Sequence, residues 1–510
     1  MPTYAIAQIN PIIGDFAGNV SLCVQAAQQA RAQGADVVLF PEMCITGYPA
    51  RDLLYDDSFV AASLAAVDDL AKQCAEGVAL VVGSVWRAEG AGKPSHPHLH
   101  NAALLLQAGE VRCVAQKRLL PTYNVYLEER WFVPGKTSAV FELAGETVGA
   151  LICEDLWDEG YGESPGMELV KQGATTLLCL SATPFRLGVA NERVHHARRL
   201  GCRLLYCNSV GSQDELIFDG NSFVMEADGH ISCQLPAFAP SVQCALPQPV
   251  PTPANEIVQI RQALQYGIAD FFAKNQLKHA FLGLSGGIDS AVVAVLAKEA
   301  LGSANVTALA MPSRYTDPRS TSNALQLAKN LGIACEVVEI DPVQRAMEKL
   351  LPDLVTVGTT AENIQARVRM VILMAYVNAQ GGVLLNTSNK TELSLGYGTL
   401  YGDLAGALSP LGDLTKLQVQ ALAREINRTD EVIPPFILTR PPSAELRPEQ
   451  VDPFDYEQVA PYLEDLVQSG KTNAILHQSE HKRKQFGIIL RVSRLAFGSG
   501  RLLPISKKSA

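Results

Sequence analysis

The sequence predicts an α/β protein of two domains, the second of them a doubly wound parallel sheet. Its 510 residues, 47% hydrophobic and 18% charged, suffice for two or three separate cores. Beyond residue 279, strand-length apolar runs at 280–284, 306–311, 335–340 and 383–387 alternate with helical patterns at βαβ spacing, and such sheets take ligands at their strand ends. Between Pro236 and Glu256 the chain turns to proline, alanine and glutamine, a composition that resists helix and sheet and makes a stiff connector. The expected division is a first domain over 1–245, a connector over 246–258 and a second domain over 259–510.

Net charge of −10 argues against non-specific nucleic-acid binding. No apolar run approaches the length of a membrane span, and the opening MPTYAIAQIN is not a signal peptide. The 11 cysteines include no CxxC pair, so reduced thiols and a cytoplasmic location are expected rather than disulfides or zinc. His96, His98 and His100 read as an exposed loop cluster rather than a metal site.

In chain order, Thr3–Ile9 reads as a strand and Asn19–Gln33 as a helix ended by Gly34. The apolar run 36–40 then delivers Glu42. Val78–Val85, Ala102–Gln107 and Val111–Gln116 repeat the strand pattern, and the last delivers Lys117. Thr147–Ile152 delivers Cys153, Glu154 and Asp155. Singly, each reads first as a surface or packing residue; a cysteine becomes a nucleophile only where a base takes its proton.

Together, the stretches around Glu42, Lys117 and Cys153 resemble the Glu-Lys-Cys triad of the nitrilase, or carbon-nitrogen hydrolase, superfamily. That resemblance implies an αββα sandwich, with Glu42 as general base, Cys153 as nucleophile and Lys117 stabilising an oxyanion. It also implies Glu128 as an auxiliary carboxylate, and Tyr123, Ser181 and Phe185 as glutamine-binding residues. Asn124 and Leu127 depart from the glutamine-using branch, where glycine and an acid are usual.

In the second half, Ser285-Gly286-Gly287-Ile288-Asp289-Ser290 sits between a buried strand and a helical run, Asp289–Leu301. The glycines let backbone N–H groups approach an anion at a helix start, and Asp289 suits a bridging Mg²⁺. The stretch resembles the PP-loop of ATP pyrophosphatases. The helix opening at Glu362 has an expected apolar face at 364, 368, 371, 372 and 375, and its arginines read as a solvated or salt-bridged face. Glycine-rich and polar stretches at 386–392, 396–403 and 414–416 follow.

Both halves, in this order, resemble the glutamine-dependent NAD synthetase family. The resemblance implies ATP as co-substrate, with Ser285 to Ser290 and Thr387 beside it and Mg²⁺ on Asp289 and Glu392. It places Asn363, Arg367, Glu392, Asp403 and Lys416 on deamido-NAD. It further implies L-glutamine as nitrogen source, ammonia passed through an internal tunnel, and at least a dimer through the second domain. The stretch 450–456 is shorter and less acidic than the family's, so a lid there would close differently. An enzyme amidating another carboxylate would keep the PP-loop and the glutaminase but lose the pattern from Thr387 to Lys416.

Overall fold

The computed structural model describes residues 2–88, 98–354, 358–471, 473–485, 496–497, 500–502 and 504–508. It separates into two compact units, one of residues 1–254 with 491–510 and the other of 255–490.

The first unit carries β1 (Tyr4–Gln8), β2 (Val37–Leu39), β3 (Ala79–Arg87), β4 (Leu99–Gln107), β5 (Glu110–Gln116), β6 (Phe141–Leu143), β7 (Glu146–Ile152), β8 (Thr176–Ser181) and β9 (Arg203–Asn208). A hairpin of β10 (Val210–Gln213) and β11 (Leu216–Asp219) precedes β12 (Phe223–Met225), β13 (Ile231–Gln234) and β14 (Ser241–Cys244). Two six-stranded sheets result, in the orders β14-β1-β2-β3-β4-β5 and β13-β12-β9-β8-β7-β6.

Period-two alternation sets the layers. Ala5 and Ala7 pack outward with the buried faces of α1 (Phe16–Ala32) and α2 (Asp57–Gln73), while Tyr4 and Ile6 meet Ala150, Ile152, Leu178 and Leu180 across the sheets. On the far side, Leu151, Leu177 and Cys179 pack with Leu169 of α3 (Pro165–Lys171) and Ala197 of α4 (Val189–Arg199). This is the αββα sandwich that the nitrilase resemblance implies.

The second unit opens on α5 (Glu256–Lys274) and has a four-stranded parallel sheet of β15 (Ala280–Gly283), β16 (Val306–Ala310), β17 (Ala334–Val337) and β18 (Val383–Leu384). Its order, β17-β16-β15-β18, is that of a doubly wound sheet. Helices α6 (Ile288–Leu301), α7 (Pro318–Leu331), α8 (Asp341–Leu350) and α9 (Thr359–Gln380) connect these strands, and α10 (Lys390–Leu395) and α11 (Lys416–Ile426) follow.

Four expectations are corrected. The stretch from Pro236, expected from its composition to resist helix and sheet, includes β14, paired antiparallel with β1, and the connector expected over 246–258 ends early, since Glu256 already lies in α5, whose N-cap Asn255 accepts from the Val258 N–H. Residues expected to end the second domain return to the first unit: the Leu502 and Ser506 N–H groups donate to Asp52 and Asp214, and Lys508 pairs with Asp15. On α9 the buried residues are Gln365, Ala366, Val368 and Leu373, whereas Val371 is 69% exposed and Ala375 is exposed. The amide of Gln365 donates to Leu446 O and Arg369 Nε to Met311 O, and these polar anchors turn the helix away from its simple apolar line. Finally, His100 is no loop residue: it lies buried in β4 with its ring on Val133 O at 2.8 Å, while His96 lies outside the described residues.

Candidate active site

In the first unit, Glu42, Lys117, Glu128 and Cys153 come together from separate chain segments, all 4% exposed or less. Glu42 follows β2 in a tight turn that passes against Gly83 of β3, where a Cβ would lie 2.4 Å from Met43 N. Its Oε1 accepts from Lys117 Nζ at 2.8 Å and Asn101 Nδ2 at 2.7 Å, and its Oε2 from the Ala182 N–H at 2.9 Å. Lys117 Nζ also donates to Glu128 Oε1 at 2.8 Å, and the Tyr48 hydroxyl donates to the same oxygen at 2.9 Å. An ammonium has three donors, so two are committed and one remains for a ligand.

Burial opposes the charge on Lys117, yet Glu128 and Glu42 hold its pKa well above the ordinary lysine value. Burial raises Glu128 to about 7, against the pull of Lys117 and with the help of Glu42. Burial likewise pushes the Cys153 thiol up to about 12, with Glu42 adding and Lys117 opposing. The resting group is therefore a thiol, and its chemistry requires a base.

Cys153 occupies the strand-to-turn corner after β7 with φ +46°, a left-handed conformation that non-glycine residues seldom adopt. Asp155 pins this corner to the lysine loop. Its Oδ1 accepts from the Arg118 and Leu119 N–H groups, both at 2.9 Å, and its Oδ2 from the Ile152 N–H at 3.2 Å. Cys153 Sγ lies 3.4 Å from Thr183 Oγ1 and 3.6 Å from Ser181 Oγ, and those hydroxyls meet each other and Tyr206.

Ser181 is thus wholly buried behind the sulfur. Tyr123 is 52% exposed and donates to Glu154, which Tyr161 also reaches; Phe185 packs edge-on against Phe238.

The second unit holds a cavity of about 300 Å³ at the strand ends. Ser285, Gly287, Ile288, Asp289, Ser290, Thr387, Glu392, Asp403 and Lys416 line it, together with Asp452 and the segment 440–446. Gly286 has φ +78°, and a Cβ there would fall 2.4 Å from Ser320 O, so only glycine fits the turn. The Ser290 hydroxyl accepts from the Ser285 N–H at 3.2 Å and closes the loop.

Lys416 Nζ stands between two carboxylates, 2.6 Å from Asp289 Oδ2 and 3.4 Å from Glu392 Oε1, and 5.4 Å from the Tyr456 ring centroid. Asn389 Nδ2 donates to Asp289 Oδ1 at 2.9 Å. Burial and Asp289 push Glu392 up to about 8 against Lys416, so the two acids repel across a shared site. Asn363 and Arg367 do not line the cavity: Asn363 Oδ1 accepts from Thr399 Oγ1, and the exposed Arg367 donates to Leu400 O. Asp452, in the stretch 450–456, accepts from the Tyr397 and Tyr456 hydroxyls.

Residues that the sequence reading passed over include Asn101 and Tyr48, and Arg369 corrects an expectation: placed on a solvated or salt-bridged face, it is half-buried, anchored on Met311 O, and without an ion pair among the described residues. Asn101 had a signal, an amide inside an apolar strand. Tyr48 had none.

The carbon-nitrogen hydrolase family matches residues 3–248, and the NAD synthase family matches residues 260–495. The chain is 37% identical to the glutamine-dependent NAD(+) synthetase of Synechocystis sp. over 99% of each chain. It is 39% identical to that of Rhodobacter capsulatus over 92% of this chain and 88% of the relative. Among solved structures, a glutamine-dependent NAD+ synthetase from Acinetobacter baumannii in complex with adenosine diphosphate superposes with a TM-score of 0.84 at 31% identity, covering 99% of this chain and 98% of that one.

Proposed function

Because the chain belongs to the glutamine-dependent NAD(+) synthetase family, an amide-forming ligase family with a glutaminase and a synthase domain, we propose the residues that carry each half-reaction. In the glutaminase, Glu42 takes the Cys153 proton and the thiolate attacks the glutamine amide carbon. The uncommitted N–H of Lys117 stabilises the resulting oxyanion. Glu42 returns that proton to the departing nitrogen, ammonia leaves, and water, activated by the regenerated Glu42 carboxylate, releases glutamate from the thioester. Glu128 holds Lys117 in place, and Tyr123, Ser181 and Phe185 belong to the glutamine pocket.

In the synthase, the turn from Ser285 to Ser290 and Thr387 hold ATP, Asp403 and Lys416 serve deamido-NAD from the cavity wall, and Asn363 and Arg367 serve it from outside that wall. The nicotinate carboxylate attacks the α-phosphate and diphosphate leaves; ammonia then displaces AMP to give NAD. Asp289 and Glu392 fit a Mg²⁺ site, since two carboxylates completed by substrate phosphates suit this cation, and their mutual repulsion already calls for positive charge. Bound there, Mg²⁺ would offset charge on the leaving diphosphate.

Ammonia is protonated in water and loses its nucleophilic lone pair, so the reading includes its internal transfer. It also includes at least a dimer through the second unit, where Val371, Leu350 and Leu354 offer exposed apolar surface.

The observation that carries the reading is the convergence of a buried thiol, carboxylates and an ammonium in one unit, with a glycine turn beside paired carboxylates in the other. The test is incubation with deamido-NAD, ATP and Mg²⁺, with glutamine or ammonium as nitrogen source. NAD, AMP and diphosphate from both, with glutamate only from glutamine, is the expected result. No NAD from either source would overturn it.

A further inference from the structure

Three cations line the cavity of the second unit: Arg369, Lys416 and Arg440. Two are neutralised by protein carboxylates, Lys416 by Asp289 and Glu392, and Arg440 by Glu445 at 2.8 Å. Arg369 differs. Its hydrogen bond is from Nε to Met311 O at 3.0 Å, and among the described residues no carboxylate lies within ion-pair distance of its guanidinium.

The two acids whose charges it feels are engaged elsewhere: Asp403 accepts from the Thr399 N–H at 2.7 Å, and Glu445 from Ser320 Oγ and Arg440. Burial outweighs both and lowers the Arg369 pKa to about 10. A half-buried guanidinium at a cavity wall, with its Nε anchored and both Nη groups uncommitted among the described residues, presents a planar fork suited to an oxyanion. Desolvating a cation without a partner is costly, and a ligand anion offsets that cost.

We propose that Arg369 is a phosphate ligand of this cavity, its Nη groups gripping a phosphate oxyanion that ATP or deamido-NAD brings. The assignment rests on the synthase reading of the cavity and adds a contact that the sequence resemblance does not supply. Arg367, two residues earlier, is exposed and faces Leu400 O instead.

The test is Arg369→Gln in the full chain. Glutamine retains an N–H where Nε stood, so the bond to Met311 O can persist while charge and fork are lost. Ammonium-dependent NAD formation is measured with each nucleotide varied in turn, alongside thermal unfolding with and without Mg-ATP and deamido-NAD.

The expected result is a KM for one nucleotide raised about tenfold to a hundredfold. That nucleotide should also stabilise the variant less than the parent, while the ligand-free variant melts no lower than the parent because an unpaired buried charge is gone. The arm that changes, ATP or deamido-NAD, identifies the source of the phosphate. Both KM values within twofold of the parent's would overturn the proposal, as would a lower ligand-free melting temperature with unchanged nucleotide stabilisation. Should the glutamine variant not accumulate, Arg369→Lys keeps the charge without the fork, and the same KM criterion applies. A parent that makes no NAD from either nitrogen source would sink the synthase reading itself, whereas an active parent with an unaffected variant sinks only this contact.

Discussion

The glutaminase site and the synthase cavity share a core, two carboxylates repelling across one lysine, and differ in what surrounds it. In the first unit Lys117 meets Glu42 and Glu128, and Asn101 and the Ala182 N–H complete Glu42, while Glu128 Oε2 has no partner among the described residues. In the second, Asp289 and Glu392 likewise repel each other across Lys416, but the cavity adds Arg369, whose nearest carboxylates are engaged elsewhere. Glutamine reacts at an uncharged amide, so the groups that meet that amide are organised in advance. Nucleotides arrive with phosphates and a cation, and a cavity built for them leaves charge for them to complete.

The contrast can be broken at several points. The broadest effect, on NAD formation from both nitrogen sources, is expected at Gly286→Ala, where the Cβ meets Ser320 O at 2.4 Å and φ is +78°. NAD formation should fall by about 10²-fold or more with either nitrogen source, while Cys153 alkylation kinetics stay unchanged. A variant active with ammonium would show that the turn tolerates a side chain.

Lys117→Met should cost the glutaminase about 10²-fold to 10³-fold. It leaves Glu42 and Glu128 buried without their cation, so calorimetry should record destabilisation of about 3–5 kcal/mol. Unchanged stability would mean that the matching of charge in the first unit is not what holds it together.

A smaller change is expected at Asp155→Asn, which turns an amide N–H toward one of the backbone N–H groups that the carboxylate accepts. A loss of about 1–3 kcal/mol should accompany a modest drop in glutaminase turnover, with the ammonium reaction preserved. Equal loss of both activities would place the effect outside the first site.

The smallest concerns pH. Glu128 is ionised above about 7, so glutaminase kcat/KM should decline as pH falls through that value. Tyr48→Phe removes a donor that favours the carboxylate form, so the acid limb should move to higher pH. A limb that stays in place would exclude Glu128 as its origin.

Glu42, Lys117 and Cys153 were legible because each stands where an apolar strand ends, a position that both topology and resemblance mark. Their supporting residues were not, since Tyr48 meets Glu128 across 80 positions of sequence and Asn101 meets Glu42 across 59. Such pairs depend on how strands are ordered in the sheet, which local pattern does not encode. The PP-loop was legible because its glycines and hydroxyls are contiguous. Arg369 was hidden in a helix whose apolar period pointed to another face, and β14 was obscured because its sequence reads as part of a polar, proline-rich stretch.

The most direct test of the division between the two chemistries is Cys153→Ala assayed with each nitrogen source. The glutamine reaction should fall by about 10³-fold or more, while NAD formation from ammonium keeps the parent rate. Glutamine-dependent synthesis that survives the substitution would contradict the assignment of the nucleophile, and loss of both reactions would contradict the separation of the two sites.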